Sequence, residues 1–505
     1  AIADIFGGMD IVQGKLGVEV DNQAMTVRGR ADLGAIPVLL AWRRNFGDTP
    51  AFQSRYQIKG LIEQDQWAKS LGFDFAPFTG DTIRGPTEAE VTVTEFDDKR
   101  REVRAKLDLT ETHLLLADLK WIKPQGVPGT AQVDLTMQGD QVRAIDRFTI
   151  EAGDLKVLGS AQLAPDGKGV RRLVFDRFAY DRNDLSGVVM PLSNGGWDAN
   201  FKGASFDLSP TLNDLRVGSS LEGDFAERPD IGPDIVVSMN IDRVWLGEER
   251  YLKQVAGIVS RHGDKWTNID LQGRLEGNKL FKLMVKPADG RTRAVTISAE
   301  DAGAALRAFD LYESMMGGTL KLNGTFDDSK PSSPLTARLT INGYRVVDAP
   351  ALAQLISIMA LTGILESLQG DGLSFTTLDA PFVFEGGVLE VSEARATGVS
   401  LGFTASGNIY TAADVVNLEG TVVPAYAINS LLGHIPLLGE LFTGGEKGGG
   451  VFAANYRMHG PTEDPKIEVN PLSALAPGFL RELFGIFEGV ETKPATNEDT
   501  QQDSQ

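Results

Sequence analysis

Alternation of apolar and polar residues recurs over nearly the whole chain, and no other feature of the sequence restricts the fold as tightly. Ala131, Val133, Leu135 and Met137 alternate with Gln132, Asp134, Thr136 and Gln138. Leu335, Ala337, Leu339 and Ile341 alternate with Thr336, Arg338 and Thr340. Phe452, Ala454, Tyr456 and Met458 do the same with Ala453, Asn455 and Arg457. A period of two puts one row of side chains on an apolar face and the other in water. Strands covered on both faces would read as continuous apolar runs, so antiparallel pairing is expected. Turn signals separate the strands: QGDQ at 138–141, EAGD at 151–154, PDGKG at 165–169 and EGG at 385–387.

A loose repeat runs through this pattern: strand, Gly turn, strand with Phe or Leu, Gly turn. Residues 129–163 and 380–410 are examples. Without a strict period it is a weak solenoid signature. Helices are few. Short ones are expected at Trp67–Leu71 and 209–215, and a better one near 301–316, where Asp301 can cap and Gly317–Gly318 can stop it. Residues 346–370 hold an apolar helix that starts at Pro350 and carries no charge as far as Leu365. A second apolar stretch, 427–442, is interrupted by Gly433 and Pro436. The expected regions are a repetitive sheet at 1–224, a second sheet at 225–345, the apolar helix at 346–370, a terminal sheet at 371–479, and a short helix with a disordered tail at 480–505. The segment 223–234 reads as the clearest linker.

Composition removes several function classes. There is no Cys, so disulfides, thiolate zinc sites and cysteine nucleophiles are out. The net charge of −20 and the lack of a basic run argue against a nucleic-acid partner. No stretch of 18 apolar residues is present to cross a membrane. The opening AIADIFGGMDIVQGK has no secretory leader and already reads as strand and turn, as in a piece of something longer.

No constellation points to catalysis. His113, His262, His434 and His459 form no metal-ligand spacing. The loop GGEKGGG at 444–450 lacks the spacing of a phosphate loop, and Asp97–Asp98 beside Lys99–Arg101 reads as a solvated turn. Asn323 in an N-x-T triplet reads as an ordinary turn residue. Paired carboxylates acting on a glycan would need a sugar-binding cleft, and that reading ranks last. No catalytic residue, metal or cofactor is expected.

What remains is more apolar strand face than the helices can cover. Such a sheet must pack on itself as a sandwich, close as a barrel, or curl into a trough with a ligand as the missing layer. The 56 glycines favour the trough, because strong curvature needs Gly and bulges.

Residues 418–484 carry a set of marks in combination: Gly420, Pro424 and Asn429; Ile435, Pro436 and Gly439; Gly460, Pro461 and Pro465; Asn470–Ser473; Ala476–Gly478. With these the segment resembles the C-terminal region of the bacterial AsmA-like family, in particular its large periplasm-spanning, bridge-type member. Residues 297–324 resemble the family as well. The resemblance implies a mainly β fold, an elongated, curled antiparallel β-sheet forming an apolar groove, with a few short helices. It implies phospholipid transport between inner and outer membrane in support of outer-membrane integrity, and no enzyme role. The full-length protein would lie in the periplasm, anchored in the inner membrane by an N-terminal helix absent from this chain. Membrane or envelope-protein contacts are expected at either end. The runner-up is a periplasmic scaffold that assists outer-membrane assembly without moving lipid.

On this basis Phe382, Phe384, Leu401, Phe403, Leu418, Val422, Phe452 and Tyr456 are the expected groove-facing residues. Leu352, Leu355, Ile356, Met359 and Leu361 are the expected membrane contacts or cap on the apolar helix. Sixteen charge-free residues from Pro350 span about 24 Å, short of the roughly 30 Å of a bilayer core. A cap, a membrane-touching element and a cover on the sheet all remain open for it.

Overall fold

A computed structural model of the protein describes residues 2–6, 9–47, 50–69, 82–116, 119–139, 141–164, 169–216, 233–358, 362–424 and 454–470. The chain divides into two units, one of residues 1–213 with 226–287 and the other of 214–225 with 288–505. The apolar stretch at 427–442, the loop at 444–450 and the C-terminal tail lie outside the described residues.

The first unit begins with β1 (Ile2–Phe6), β2 (Met9–Val20), β3 (Ala24–Leu33), β4 (Ile36–Asn45) and β5 (Ser54–Ile62). After the single turn α1 (Gln66–Lys69) come β6 (Ile83–Arg84), β7 (Thr87–Glu95), β8 (Arg100–Asp108), β9 (His113–Leu116) and β10 (Trp121–Lys123). A run of hairpins follows: β11 (Gly129–Gln138), β12 (Gln141–Ala152), β13 (Leu155–Leu163), β14 (Val170–Tyr180), β15 (Asn183–Pro191) and β16 (Trp197–Asp207). Beyond α2 (Ser209–Arg216) lie β17 (Ile235–Trp245), β18 (Tyr251–His262), β19 (Lys265–Arg274) and β20 (Leu280–Asp289). Successive strands pair in this order, except that β6, β9 and β10 form a small sheet of their own, so that β7 joins β5 and β11 joins β8.

The second unit contains β21 (Thr292–Ala299), α3 (Ala302–Ala308), β22 (Met315–Asp327) and β23 (Leu335–Val346). Two helices, α4 (Pro350–Ile358) and α5 (Thr362–Gln369), precede β24 (Leu373–Glu385), β25 (Val388–Gly398) and β26 (Leu401–Tyr410). The strands β27 (Val415–Pro424), β28 (Ala454–Pro461) and β29 (Lys466–Val469) complete it. From β21 onward each strand pairs antiparallel with the next.

The hairpin turns follow from their residues. Gly386 and Gly387 both adopt positive φ, 55° and 78°, as a two-residue connection between β24 and β25 requires. The expected helix near 301–316 is shorter than its apolar pattern. Asp301 caps it by accepting from the Ala304 amide at 2.9 Å, but it ends after Ala308 and Met315 already starts a strand. The expected single helix from Pro350 comes as two helical segments, α4 and α5, with 359–361 outside the described residues.

The mainly β character with few short helices stands, but the rest of the expected architecture is corrected. Neither unit has a sheet that closes or strongly curls into a groove, and the pairing is not antiparallel throughout. Strand β17 runs parallel to β16, with Trp197 opposite Ile235 and Phe201 opposite Met239. The 27 residues between the end of β16 and the start of β17 make this reversal available, because a parallel partner needs a crossover and not a hairpin. The glycines taken as a sign of curvature have other employment, in turns and beneath aromatic rings.

Arg182 staples the ends of the two parallel strands. Its guanidinium meets Asp207 Oδ2 at 2.8 Å at the end of β16 and donates to the carbonyls of Gly247 and Glu248, at 3.2 and 3.0 Å. The same group lies 4.8 Å from the Trp245 ring centroid. The Asp207 side chain is 6% exposed, so losing its cation would leave a nearly buried carboxylate without its ion-pair partner. Arg182→Ala is expected to cost about 2–3 kcal/mol, read as a lower urea midpoint at unchanged slope. A loss under about 0.5 kcal/mol, typical of an exposed ion pair, would contradict the staple.

Candidate functional site

The feature with functional content is one face of each sheet. In the first unit, residues directly opposite each other make a row across nine strands: Phe148, Gly159, Phe175, Gly187, Phe201, Met239, Gly257, Leu271 and Leu283. At about 4.8 Å per strand the row runs for roughly 40 Å. A parallel row lies beside it, with Leu173, Val189, Ala199, Val237, Val259 and Ile269 in register. The opposite face is mixed: the row Lys202, Asn240, Ala256, Gln272 and Lys282 is mostly polar, while the next one sets Val174, Val188, Ile258 and Met284 among Asn200, Ser238 and Asp270. Phe148, Phe175, Phe201, Met239, Leu271 and Leu283 are only part-buried. This is apolar surface in a continuous stripe, and such stripes mark places where something apolar binds.

The glycines in the row have a steric cause. A Cβ on Gly159 would lie 2.6 Å from the Phe148 ring and 2.1 Å from the Val174 carbonyl oxygen. With no side chain there, Phe148 of β12 and Phe175 of β14 meet edge to face, centroids 6.2 Å apart. Gly187 makes the same room, 2.5 Å from the Phe201 ring and 2.4 Å from the Asn200 oxygen.

The second unit has two similar rows, in the first of which Leu320, Ile341, Ala396, Val422 and Ala454 are buried. Leu320, Ile341, Leu378, Ala396, Phe403, Val422 and Ala454 form one row. Ala337, Phe382, Val391, Gly407, Leu418, Met458 and Ile467 form the next. The expected groove residues Phe382, Phe384, Phe403 and Leu418 are part-buried and share this face. Leu401, Val422 and Tyr456 share it too but are buried, Val422 completely, so they belong to packed interior. Phe452 lies outside the described residues. Of the helix candidates, Leu355 and Ile356 of α4 are buried and Leu352 is part-buried, while Met359 and Leu361 lie outside the described residues. Helix α4 packs against α5 and β29. No helix among the described residues is long and apolar enough to cross a membrane.

Leu378, Ile341 and Met458 were not among the expected groove residues, nor was any residue of the first-unit face, although the alternation sets Ile341, Met458 and Val133 on an apolar face. The alternation that singled out Phe403 was available for each of them.

Polar chemistry is sparse. Among the described residues no three His, Asp or Glu are placed to hold a metal. Lys123 is 1% exposed, and its ammonium donates to the carbonyls of Thr110, Thr112 and Pro124, the closest at 2.7 Å. Burial lowers its pKa, and the three carbonyls give it a structural role in tying the small sheet to the turn that holds Thr110 and Thr112. His262 Nδ1 lies 2.7 Å from Asp234 Oδ2 at an exposed turn. Comparison of the chain with protein-family models, curated proteins and solved structures finds no match in any of the three.

Tyr456 places a polar group within the apolar face. Its hydroxyl donates to the Thr404 carbonyl at 2.7 Å, and burial pushes its pKa well above that of a free tyrosine. The folded state therefore holds the proton more tightly than the unfolded chain. The resulting stability is complete below the unfolded pKa of about 10 and is lost as pH rises above it. Tyr456→Phe is expected to cost about 1 kcal/mol at neutral pH and to flatten the alkaline loss. Thermal unfolding from pH 7 to 11 checks this, and an unchanged alkaline slope would contradict it.

Proposed function

We propose that this chain handles lipid in the bacterial envelope: it takes the acyl chains of phospholipid onto the apolar face of its sheets and passes them along that face between membranes. The observation that carries this is the cross-strand row of part-buried apolar side chains, spaced by glycines, with a more polar reverse side. Each methylene withdrawn from water is worth about 0.8 kcal/mol, so a sixteen-carbon chain represents roughly 12 kcal/mol. A free acyl chain meets that barrier in water. An apolar stripe several strands long lets it move with nearly constant burial while the headgroup stays solvated. The likeness of residues 418–484 to AsmA-like proteins supports the same reading and a periplasmic location. On this reading the chain is not an enzyme.

A scaffold that assists outer-membrane assembly draws support from the buried Leu401, Val422 and Tyr456, which show part of the face consumed by the protein's own packing. Native mass spectrometry with lipid extraction separates the two. Lipid carriage predicts phospholipid bound to the purified chain, and about a tenfold weaker retention in Phe403→Asp, equal to 1.4 kcal/mol, since a charge on the stripe must be desolvated against an acyl chain. Arg457→Asp, in β28 on the polar side, should retain lipid. A lipid-free wild type, or a folded Phe403→Asp that retains as much as wild type, would leave the scaffold.

A further inference from the structure

Three cations in the first unit stand directly opposite one another on consecutive strands: Arg243 of β17 faces Lys253 of β18, and Lys253 faces Arg274 of β19. Residues so paired have Cβ atoms about 5 Å apart, and like charges at that distance repel. None of the three forms an ion pair with a carboxylate among the described residues. Arg274 donates only to the Asn278 carbonyl, at 3.4 Å. Nearby cations are treated differently, Arg182 being held by Asp207 and Lys286 by Asp270 at 3.2 Å. In a chain of net charge −20, with acid plentiful, this cationic run stands unneutralised.

Two aromatic rings hold Arg243 and Lys253 in place. Trp245 and Tyr251 meet edge to face at 5.2 Å, and the Trp245 indole is fixed by its bond to Ser205 Oγ at 2.9 Å. The Arg243 guanidinium lies 5.0 Å from the Trp245 centroid and 4.8 Å from that of Tyr251, and the Lys253 ammonium 5.6 Å from Tyr251. Ring faces orient cations without neutralising them. Arg274 also lines a recess of about 360 Å³ with Asn240, Asp242 and Gln272, which adds amide donors and one carboxylate. Three positive charges less that of Asp242 leave two, and a phosphate monoester carries about −1.5 to −2 at neutral pH. Arginine forks and an ammonium are the donors that phosphate oxygens take.

We propose that Arg243, Lys253 and Arg274 form a binding site for a phosphate monoester, borne either by a lipid headgroup or by a soluble metabolite. The site does not depend on the apolar face carrying acyl chains. Thermal unfolding of the full chain near pH 7.5 in about 20 mM glycerol 3-phosphate, against sodium chloride of equal ionic strength, is one arm, with an expected rise in Tm of about 3 °C. Flotation with phosphatidylcholine vesicles, with and without phosphatidic acid, is the other. A response to glycerol 3-phosphate assigns a soluble ligand, and flotation that requires phosphatidic acid assigns a headgroup. Lys253→Gln should raise Tm in phosphate-free buffer, because repulsion is relieved, and should lose the response. Lys253→Arg should keep it. No response of the wild type in either arm, or an undiminished response in Lys253→Gln, overturns the site.

Discussion

Register between neighbouring strands is the constraint on which the rest of the structure depends. Because side chains alternate faces along a strand, a slip of one residue would move every apolar residue to the polar side. The rows through Phe175 and Phe403 exist because each strand keeps step with the next, even where bulges interrupt the ladder. Between β14 and β15, for example, Phe175 faces Gly187 and Phe178 faces Leu185, so the extra residue in β14 is absorbed without changing face. The same step is kept across the parallel junction, where Phe201 faces Met239.

Aromatic rings and glycines hold that register together. A ring lying over a neighbouring glycine covers backbone that would otherwise be bare, and the glycine lets rings two strands apart touch. Phe148 and Phe175 do so across Gly159. Elsewhere stacked rings link adjacent strands, as with Trp42 and Tyr56 at 5.5 Å and Tyr344 and Phe375 at 5.2 Å. Charge pairs act along the ladders, as with Arg104 and Asp134, and at strand ends. Arg293 meets Asp328 through two bonds of 2.7 and 2.9 Å while lying over the Phe326 ring, a partly buried fork that clamps the ends of β21 and β22. Stability is thus distributed among neighbouring strands, and the apolar face need not be fully covered for the fold to persist.

Much of this was legible in the residues. The alternation at 131–137 and 335–341 falls inside β11 and β23, and the EGG turn is a hairpin of the expected kind. Phe382, Phe384, Phe403 and Leu418 share one apolar face because period two is a local property that needs no partner to be read. The parallel pairing of β17 was not legible, since alternation states which side a residue faces and says nothing of strand direction. Curvature was misjudged from glycine content, because composition does not distinguish a glycine that bends a strand from one that accommodates a ring. The run Arg243, Lys253, Arg274 was hidden for a further reason. Its members are 10 and 21 positions apart, and only the lengths of two loops bring them opposite one another.

The most direct measurement is photocrosslinking to labelled phospholipid from a benzophenone amino acid placed in turn along β15. Acyl chains lying on the apolar face predict capture from Leu185 and Val189, whose side chains lie in the apolar rows, and little from Ser186 and Val188 on the other side. The same period of two should return along β24, with capture at Leu378 and Phe382 and not at Asp379 or Val383. Capture that ignores the alternation, or that is absent from the apolar positions of a folded protein, would contradict lipid carriage on this face.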